Sequence, residues 1–91
     1  MLARNWRGAA GELDLVVRDG GRLRFVEVKL RQPDDPVGLE CVSARKLQKV
    51  RRAAEAFLQD YTDLVDEACL MVALVHGRPG DFRVHLFDDP D

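Results

Sequence analysis

Two acidic residues and one lysine on neighbouring predicted strands are the part of this sequence best suited to chemistry. Asp14 lies in one segment rich in strand-forming residues, Glu27 and Lys29 lie in the next, and Asp19-Gly20-Gly21 separates the segments. A short glycine-containing connection between two such segments is typical of a β-hairpin. The sequence therefore predicts an antiparallel pair of strands that brings Asp14, Glu27 and Lys29 together.

The register of this hairpin decides whether the two acids meet. With Gly20-Gly21 as the turn, Asp14 lies directly opposite Glu27. A turn at Asp19-Gly20 shifts the pairing by two residues and places Glu12 opposite Glu27, which still keeps acidic side chains together, whereas a three-residue loop in regular pairing would separate the acids. Opposed residues have Cβ atoms only about 4.5 to 5.5 Å apart, so either register creates a repulsion that needs compensation.

The register also assigns side chains to the two faces of the hairpin. With the Gly20-Gly21 turn, Val16 faces Phe25 and shares a face with the acids, and Glu12 faces Lys29. The opposite face is apolar throughout and is predicted to be the core face: it carries Leu13, Leu15, Val17, Val26, Val28 and Leu30.

Two kinds of positive charge can compensate the acid pair. A hard divalent cation such as Mg²⁺ or Mn²⁺ accepts one or two carboxylates and otherwise keeps water or phosphate oxygens, and it lowers the pKa of bound water. Lys29 beside such an ion would offset negative charge that develops during phosphodiester hydrolysis. In the structural alternative, Lys29 forms a surface salt bridge with Glu12 and the acids are simply solvated. Spacing alone leaves both interpretations open.

The remaining elements predict an α/β fold in one domain, residues 1–91. Strands are predicted at 12–18, 22–30, 68–75 and 82–87, and residues 31–42 have turn composition. Apolar residues at three- and four-residue spacing predict an amphipathic helix from an N-cap at Ser43 to about Asp60. The order β-β-α-β-β suits a mixed sheet in which the helix connects two parallel strands. Residues 88–91 form an acidic tail.

Composition favours a soluble cytoplasmic protein that binds a polyanion. No apolar run reaches the roughly 20 residues of a membrane span, there is no secretory signal, and two cysteines make no disulfide framework. The net charge is −2, yet residues 43–52 contain five basic residues and no acidic one. Such a basic segment attracts phosphate, although a solvated helix face gives the same pattern.

Three segments of the sequence resemble one bacterial family. They are Gly11-Glu12-Leu13-Asp14-Leu15-Val16, Phe25-Val26-Glu27-Val28-Lys29, and Ser43-Ala44-Arg45-Lys46 leading into a helix with Ala53-Ala54. The chain resembles, over nearly its whole length, the YraN-like family of predicted endonucleases, which looks like a branch of the PD-(D/E)XK nuclease superfamily close to archaeal Holliday-junction resolvases. The resemblance implies a restriction-endonuclease-like core and hydrolysis of DNA, in particular branched or damaged DNA.

The resemblance also implies roles for individual residues. Asp14 and Glu27 would hold Mg²⁺ or Mn²⁺, the main-chain carbonyl of Val28 would be a further ligand, and Lys29 would be the catalytic lysine. Glu12 occupies a family position that suits either a bridge to Lys29 or an outer contact to the metal. Gln48 corresponds to polar helix residues that approach the scissile phosphate, or is an ordinary surface residue.

The predicted site implies nearby contacts to nucleic acid. Lys46 is the strongest candidate for a phosphate contact, with Arg45, Lys49 and Arg7 as further candidates. A nucleic-acid-binding or protein-interaction module without turnover, and a plain structural domain, are the alternative functions.

The sequence also departs from the family pattern. Leu13 stands where the superfamily name places a proline, and relatives begin with a helix that this chain starts too late to contain. Without that helix, part of the sheet surface or core would be exposed. An exposed surface of this kind predicts a homodimer.

Overall fold

Five strands and one helix make up the part of the chain that the structure describes. This is a computed structural model, and it describes residues 1–32, 34, 43–61 and 63–88. The elements in chain order are β1 Ala3–Gly8, β2 Gly11–Asp19, β3 Arg22–Arg31, α1 Ala44–Asp60, β4 Glu67–Arg78 and β5 Asp81–Asp88. Most of the predicted 31–42 loop, together with Cys41 and the tail beyond residue 88, lies outside the described residues.

The strands form one mixed sheet in the order β1-β2-β3-β4-β5. Neighbouring strands are antiparallel except β3 and β4, which are parallel and are separated in the chain by α1. This confirms the predicted α/β class. The predicted β-β-α-β-β order is present, with β1 added as an edge strand that the sequence did not reveal. No helix in the described residues is both long and apolar enough to cross a membrane.

The β2–β3 hairpin has the predicted register. Its pairing runs from Asp19 with Arg22 to Leu15 with Val26. Gly20 has φ of +61°, which suits glycine at a tight hairpin turn. A Cβ atom at Gly21 would meet the Asp66 carboxylate, so a larger residue there would displace that side chain. The two-residue Gly20-Gly21 turn is therefore confirmed, and with it the alignment that directs Asp14 towards Glu27.

The helix α1 begins and ends where the sequence predicts. Ser43 is the N-cap, and its side chain accepts a hydrogen bond from the Lys46 amide at 3.1 Å. Such a bond satisfies one of the amides that lack partners in the first helical turn. The apolar stripe of the helix packs on the sheet through Leu47, Val50, Ala53 and Ala54, all of which are buried.

The helix covers the face of the sheet opposite to the predicted core face. Val16, Leu23 and Phe25 are buried beneath it, whereas Leu30 on the other face is 71% exposed. We call this surface, which no described helix covers, the open face. Its residues alternate with the covered residues along β2 to β5. They are Leu15, Val17, Val26, Val28, Leu30, Met71, Ala73, Val75, Phe82, Val84 and Leu86. The predicted core face was wrong because both faces of the hairpin are apolar, and only the position of the helix distinguishes them.

The alternation of side chains breaks near Asp14. Leu13 and Val16 are three positions apart and would point to opposite faces of a regular strand, yet both belong to the covered core. Their β1 partners, Trp6 and Ala3, also pack against that core. Between those partners Asn5 has φ of 53°, a left-handed conformation that asparagine tolerates better than most residues. Leu13 therefore does not share a face with the other predicted core-face residues, which is a second correction.

Candidate functional site

Glu27 is the buried charged residue around which the candidate site is built. It lies in β3 on the covered face, two positions after Phe25, and only 4% of it is exposed. Among the residues that the structure describes, it is the one buried polar or charged residue. A carboxylate is rarely buried without partners, because its transfer from water costs several kcal/mol. The contacts around Glu27 therefore decide what this site can do.

Asp14 is the acidic neighbour of Glu27. The Val28 amide donates a hydrogen bond of 2.7 Å to Asp14 Oδ2. A side-chain oxygen of β2 thus satisfies a main-chain donor of β3 at the point where the alternation of β2 breaks. The Asp14 and Glu27 side chains line the same cleft, and the charge of Asp14 acts on Glu27. The expected pairing of the two acids is therefore present, and the amide of Val28 fixes the orientation of Asp14.

Burial and the second acid change the protonation of Glu27. Burial is the largest cause that raises the pKa of Glu27 above its usual 4.5, and the negative charge of Asp14 and the hydrogen bond to it raise the pKa further. Lys46 and Lys29 act in the opposite direction, and their charges lower the pKa of Glu27. On balance the pKa of Glu27 is raised, so Glu27 holds its proton more readily than an exposed glutamate does.

Two lysines from different elements converge on Glu27. Lys46 Nζ lies 3.5 Å from Glu27 Oε1, and Lys29 Nζ lies 3.8 Å from the same oxygen. Lys29 extends from the same face of β3 as Glu27, whereas Lys46 is brought in by the first turn of α1. The Ser43 cap sets where that turn begins, and so helps to position Lys46.

The acids open into a small cleft between the sheet and the start of α1. Its volume is about 270 Å³. The residues that line it are Ala10, Gly11, Glu12, Asp14, Glu27, Lys46, Lys49 and Val50. A cleft of this size accommodates several water molecules or a phosphate group. Both carboxylates and two of the basic residues predicted to contact phosphate therefore line one solvent-accessible space.

The donor set of this cleft fits a hard divalent cation. Two carboxylates, one of them buried, are the number that Mg²⁺ commonly takes from a protein. Within residues 1–32, 34, 43–61 and 63–88, no three His, Cys, Asp or Glu side chains gather into a denser metal-binding group. Asp14 and Glu27 would thus hold the ion, and water or substrate oxygens would complete its coordination.

The remaining predicted residues are arranged around this cleft in different ways. Glu12 contributes to the lining and pairs with Arg7, with Arg7 Nε 3.6 Å from Glu12 Oε1. Lys29 contacts Glu27, which differs from the predicted alternative of a bridge to Glu12. Arg45 and Gln48 are exposed on α1 and are not among the lining residues.

The direct contact between Lys46 and Glu27 is the feature that sequence reasoning missed. The sequence predicted Lys46 to bind phosphate, and the structure shows that it also neutralises the buried acid. Ser43 is the signal that was present: an N-cap three residues before Lys46 fixes where the first helical turn begins. The sequence did not indicate which face of the sheet that turn of the helix covers.

One protein family matches most of the chain. It is described as Uncharacterised protein family UPF0102, and the match covers residues 1–78. This confirms the family resemblance inferred from the Gly-Glu-x-Asp and Phe-Val-Glu-Val-Lys segments. The description of the family states no activity.

Individual relatives extend the match at high identity. A UPF0102 protein of Synechococcus sp. (strain JA-3-3Ab) is 51% identical over 83 residues, which are 88% of this chain and 63% of the relative. A UPF0102 protein of Gloeobacter violaceus is 47% identical over 83 residues, which are 88% of this chain and 66% of the relative. A UPF0102 protein of Neisseria meningitidis serogroup C (strain 053442) is 47% identical over 85 residues, which are 90% of this chain and 73% of the relative. The chain thus spans slightly less than two thirds of the length of the first two relatives.

Proposed function

This chain belongs to the uncharacterised protein family UPF0102, and from its cleft we propose that it is a metal-dependent endonuclease that hydrolyses phosphodiester bonds in DNA. The observation that carries the proposal is the buried Glu27, which lines one cleft with Asp14 and has the ammonium groups of two lysines within 4 Å. A domain stabilised by its core alone has no need for this arrangement, because burying a carboxylate beside a second carboxylate is costly.

Each residue of the cleft has a distinct proposed role. Asp14 and Glu27 are the carboxylate ligands, and the main-chain carbonyl of Val28 is a further ligand. A divalent cation bound there supplies an activated water molecule and offsets the charge that develops on the phosphate. Lys29 stabilises that charge from β3. The hydrogen bond from the Val28 amide holds Asp14 in one orientation, which reduces the reorganisation needed for binding.

The basic residues near the cleft are proposed to bind the DNA backbone. Lys46 and Lys49 line the cleft itself, and Arg45 is exposed in the same turn of α1. Amides at the start of a helix also favour a phosphate group. Arg7 is paired with Glu12 at the rim, so its contact with phosphate would compete with that ion pair. These residues contact backbone rather than bases, which suits recognition of DNA shape over DNA sequence.

Cleavage of defined DNA substrates tests this proposal. Wild type with Mn²⁺ is expected to nick branched or linear duplex DNA, and Asp14→Asn/Glu27→Gln is expected to lose both nicking and calorimetric Mn²⁺ binding. The matched control is Glu55→Gln/Asp63→Asn, which removes the same charge from two exposed positions and should behave as wild type. Equal activity in wild type and the site variant would refute the proposal.

One observation favours a second candidate, a DNA-binding module without turnover. Glu27 already has two ammonium groups within 4 Å, so the acid pair is partly neutralised without a metal ion. Under this candidate, DNA binding weakens with salt, is unaffected by Mn²⁺ and survives Asp14→Asn. The same variants therefore separate the two functions.

A further inference from the structure

Basic side chains gather on the covered face where β3, β4 and β5 run side by side. The register aligns residues 28–31 of β3 with residues 73–76 of β4 and residues 83–86 of β5. Alternate residues of each segment are apolar and lie on the open face. The others share the covered face with Glu27, because directly opposed residues project from one face. Apart from the buried Leu74 they are all basic or imidazole groups, which we call the basic patch: Lys29, Arg31, His76, Arg83 and His85.

The three aligned segments of the basic patch contain no acidic residue. The outer row places His76 between Arg31 and Arg83, and the rings of His76 and His85 lie 6.3 Å apart. Arg83 is exposed, and no ion pair to it is found among the residues that the structure describes. Cationic side chains on neighbouring strands repel one another unless an anion compensates them. The chain has a net charge of −2, so its overall composition does not explain this local excess of basic groups.

The basic patch and the lysines of α1 flank the acid pair from opposite sides. Lys29 belongs to the patch, and its Nζ lies 3.8 Å from Glu27 Oε1 in the cleft. The helix that supplies Lys46 and Lys49 to the cleft lies nearest β1 and β2, whereas the patch extends across β4 and β5. A single phosphate group fits the cleft. A ligand that contacts both basic regions must be an extended polyanion that crosses the acid pair.

The dimensions of the basic patch suit the backbone of duplex DNA. Arg31 lies four residues beyond Glu27 along β3, which corresponds to about 13 Å of strand. Arg83 lies two strands to the side, at a distance of about 10 Å from β3. Each DNA strand carries one phosphate per roughly 3.4 Å of helix axis, so 13 Å corresponds to about four base pairs. The patch can therefore contact phosphates beyond the one held in the cleft.

We propose that the basic patch binds the sugar-phosphate backbone of duplex DNA on the side of the acid pair away from α1. The ligand assigned to the patch rests on the proposed function, and the patch adds a second contact region to the residues of α1. Arg83, at the outer edge, has an exposed guanidinium group that can donate two hydrogen bonds to one phosphate. Backbone contacts on both sides of the acid pair fix the position of the phosphodiester bond over the cleft, as hydrolysis requires.

DNA binding measured by fluorescence anisotropy in EDTA tests the proposal without cleavage. The probe is a labelled duplex of about 20 base pairs, titrated with the full 91-residue chain at salt concentrations from about 50 to 300 mM. Arg83→Gln should weaken binding roughly ten-fold at about 50 mM salt and make the slope of log affinity against log salt shallower by about one, because one phosphate contact is lost. Arg83→Lys retains the charge and should keep the wild-type slope. Arg83 is exposed, so folding should persist, as circular dichroism will check.

Arg22→Gln is the matched control. Arg22 is exposed at the other end of β3 and pairs with Glu67, with Arg22 Nε 3.4 Å from Glu67 Oε2. Its removal should change the affinity by less than about two-fold and leave the salt slope unchanged. An unchanged slope in Arg83→Gln, or an equal loss in Arg22→Gln, would overturn the proposal. Tighter binding of a single-stranded RNA of equal length would also overturn it and indicate another nucleic acid.

The site variant Asp14→Asn/Glu27→Gln separates this proposal from the nuclease function. Arg83→Gln added to the site variant should lower the salt slope by the same amount, whether or not the acids bind Mn²⁺. If wild type nicks DNA while Arg83→Gln binds DNA as wild type does, the proposed role of the basic patch is overturned and the nuclease function stands.

Discussion

The two faces of the sheet are both apolar, but only one of them carries a buried charge. On the covered face, α1 packs over Phe25 and Leu74 and encloses Glu27. On the open face, residues of the same kind, such as Leu30, remain exposed. The difference comes from a single helix. The helix both completes the core and supplies the lysine that compensates Glu27, so in this protein core packing and the candidate site depend on the same element.

The largest expected difference between the faces is in the cost of removing a leucine. Leu74→Ala empties a buried position and should lower the free energy of unfolding by about 2 to 5 kcal/mol. Leu30→Ala should change it by no more than about 0.5 kcal/mol, because the side chain is already exposed. Urea denaturation measures both free energies of unfolding. Equal costs would contradict the assignment of the faces.

A smaller effect is expected from the cap that fixes the start of α1. Ser43→Ala removes the acceptor for the Lys46 amide and should cost about 1 kcal/mol of stability. Ser43→Asp retains an acceptor and should keep most of that stability, which thermal and urea unfolding can measure. If alanine and aspartate behave alike, the hydrogen bond to the cap does not stabilise the covered face.

The smallest expected effect is a pH dependence that arises from Glu27. Its pKa is raised in the folded chain, chiefly by burial and then by the charge of Asp14. The folded state therefore holds this proton more tightly than the unfolded state. The resulting stabilisation is complete below the unfolded pKa near 4.5 and is lost as pH rises through the raised value.

Glu27→Gln isolates this contribution, because glutamine cannot lose the proton. Relative to wild type, the variant should gain stability as pH increases from 4 to 8, as measured by urea unfolding at each pH. Glu55→Gln, which removes an exposed carboxyl from α1, controls for the general loss of an acid. If the free energy of unfolding of Glu27→Gln minus that of wild type stays constant or falls as pH increases from 4 to 8, the buried acid pair is contradicted.

The sequence predicted those elements whose signals are local. The Gly20-Gly21 turn and strand patterns predicted the hairpin register, and Ser43 with the apolar spacing predicted α1. The edge strand β1 was missed because its residues around Asn5 are mostly polar, and it is an edge strand defined by its pairing with β2. Pairing between distant segments leaves little trace in local composition.

The candidate site was predicted in its residues but not in its burial. Asp14 and Glu27 were expected to be together, and the register explains why. The face that α1 covers was not predictable from two similar apolar patterns, so the burial of Glu27 and its contact with Lys46 could not be foreseen. The irregular backbone at Asn5 and Asp14 also places the Leu13 side chain on the covered face. Such breaks depend on tertiary packing, which strand alternation alone does not encode.

Binding of Mn²⁺ observed by NMR is the most direct test of the central claim that Asp14 and Glu27 form a cation site. Substoichiometric Mn²⁺ should first broaden the amide signals of Asp14, Glu27 and Val28, while those of Phe82 at the far end of β5 persist. The selective broadening should vanish in Asp14→Asn/Glu27→Gln. Uniform broadening, or broadening centred on other acidic residues such as Asp63, would contradict the claim.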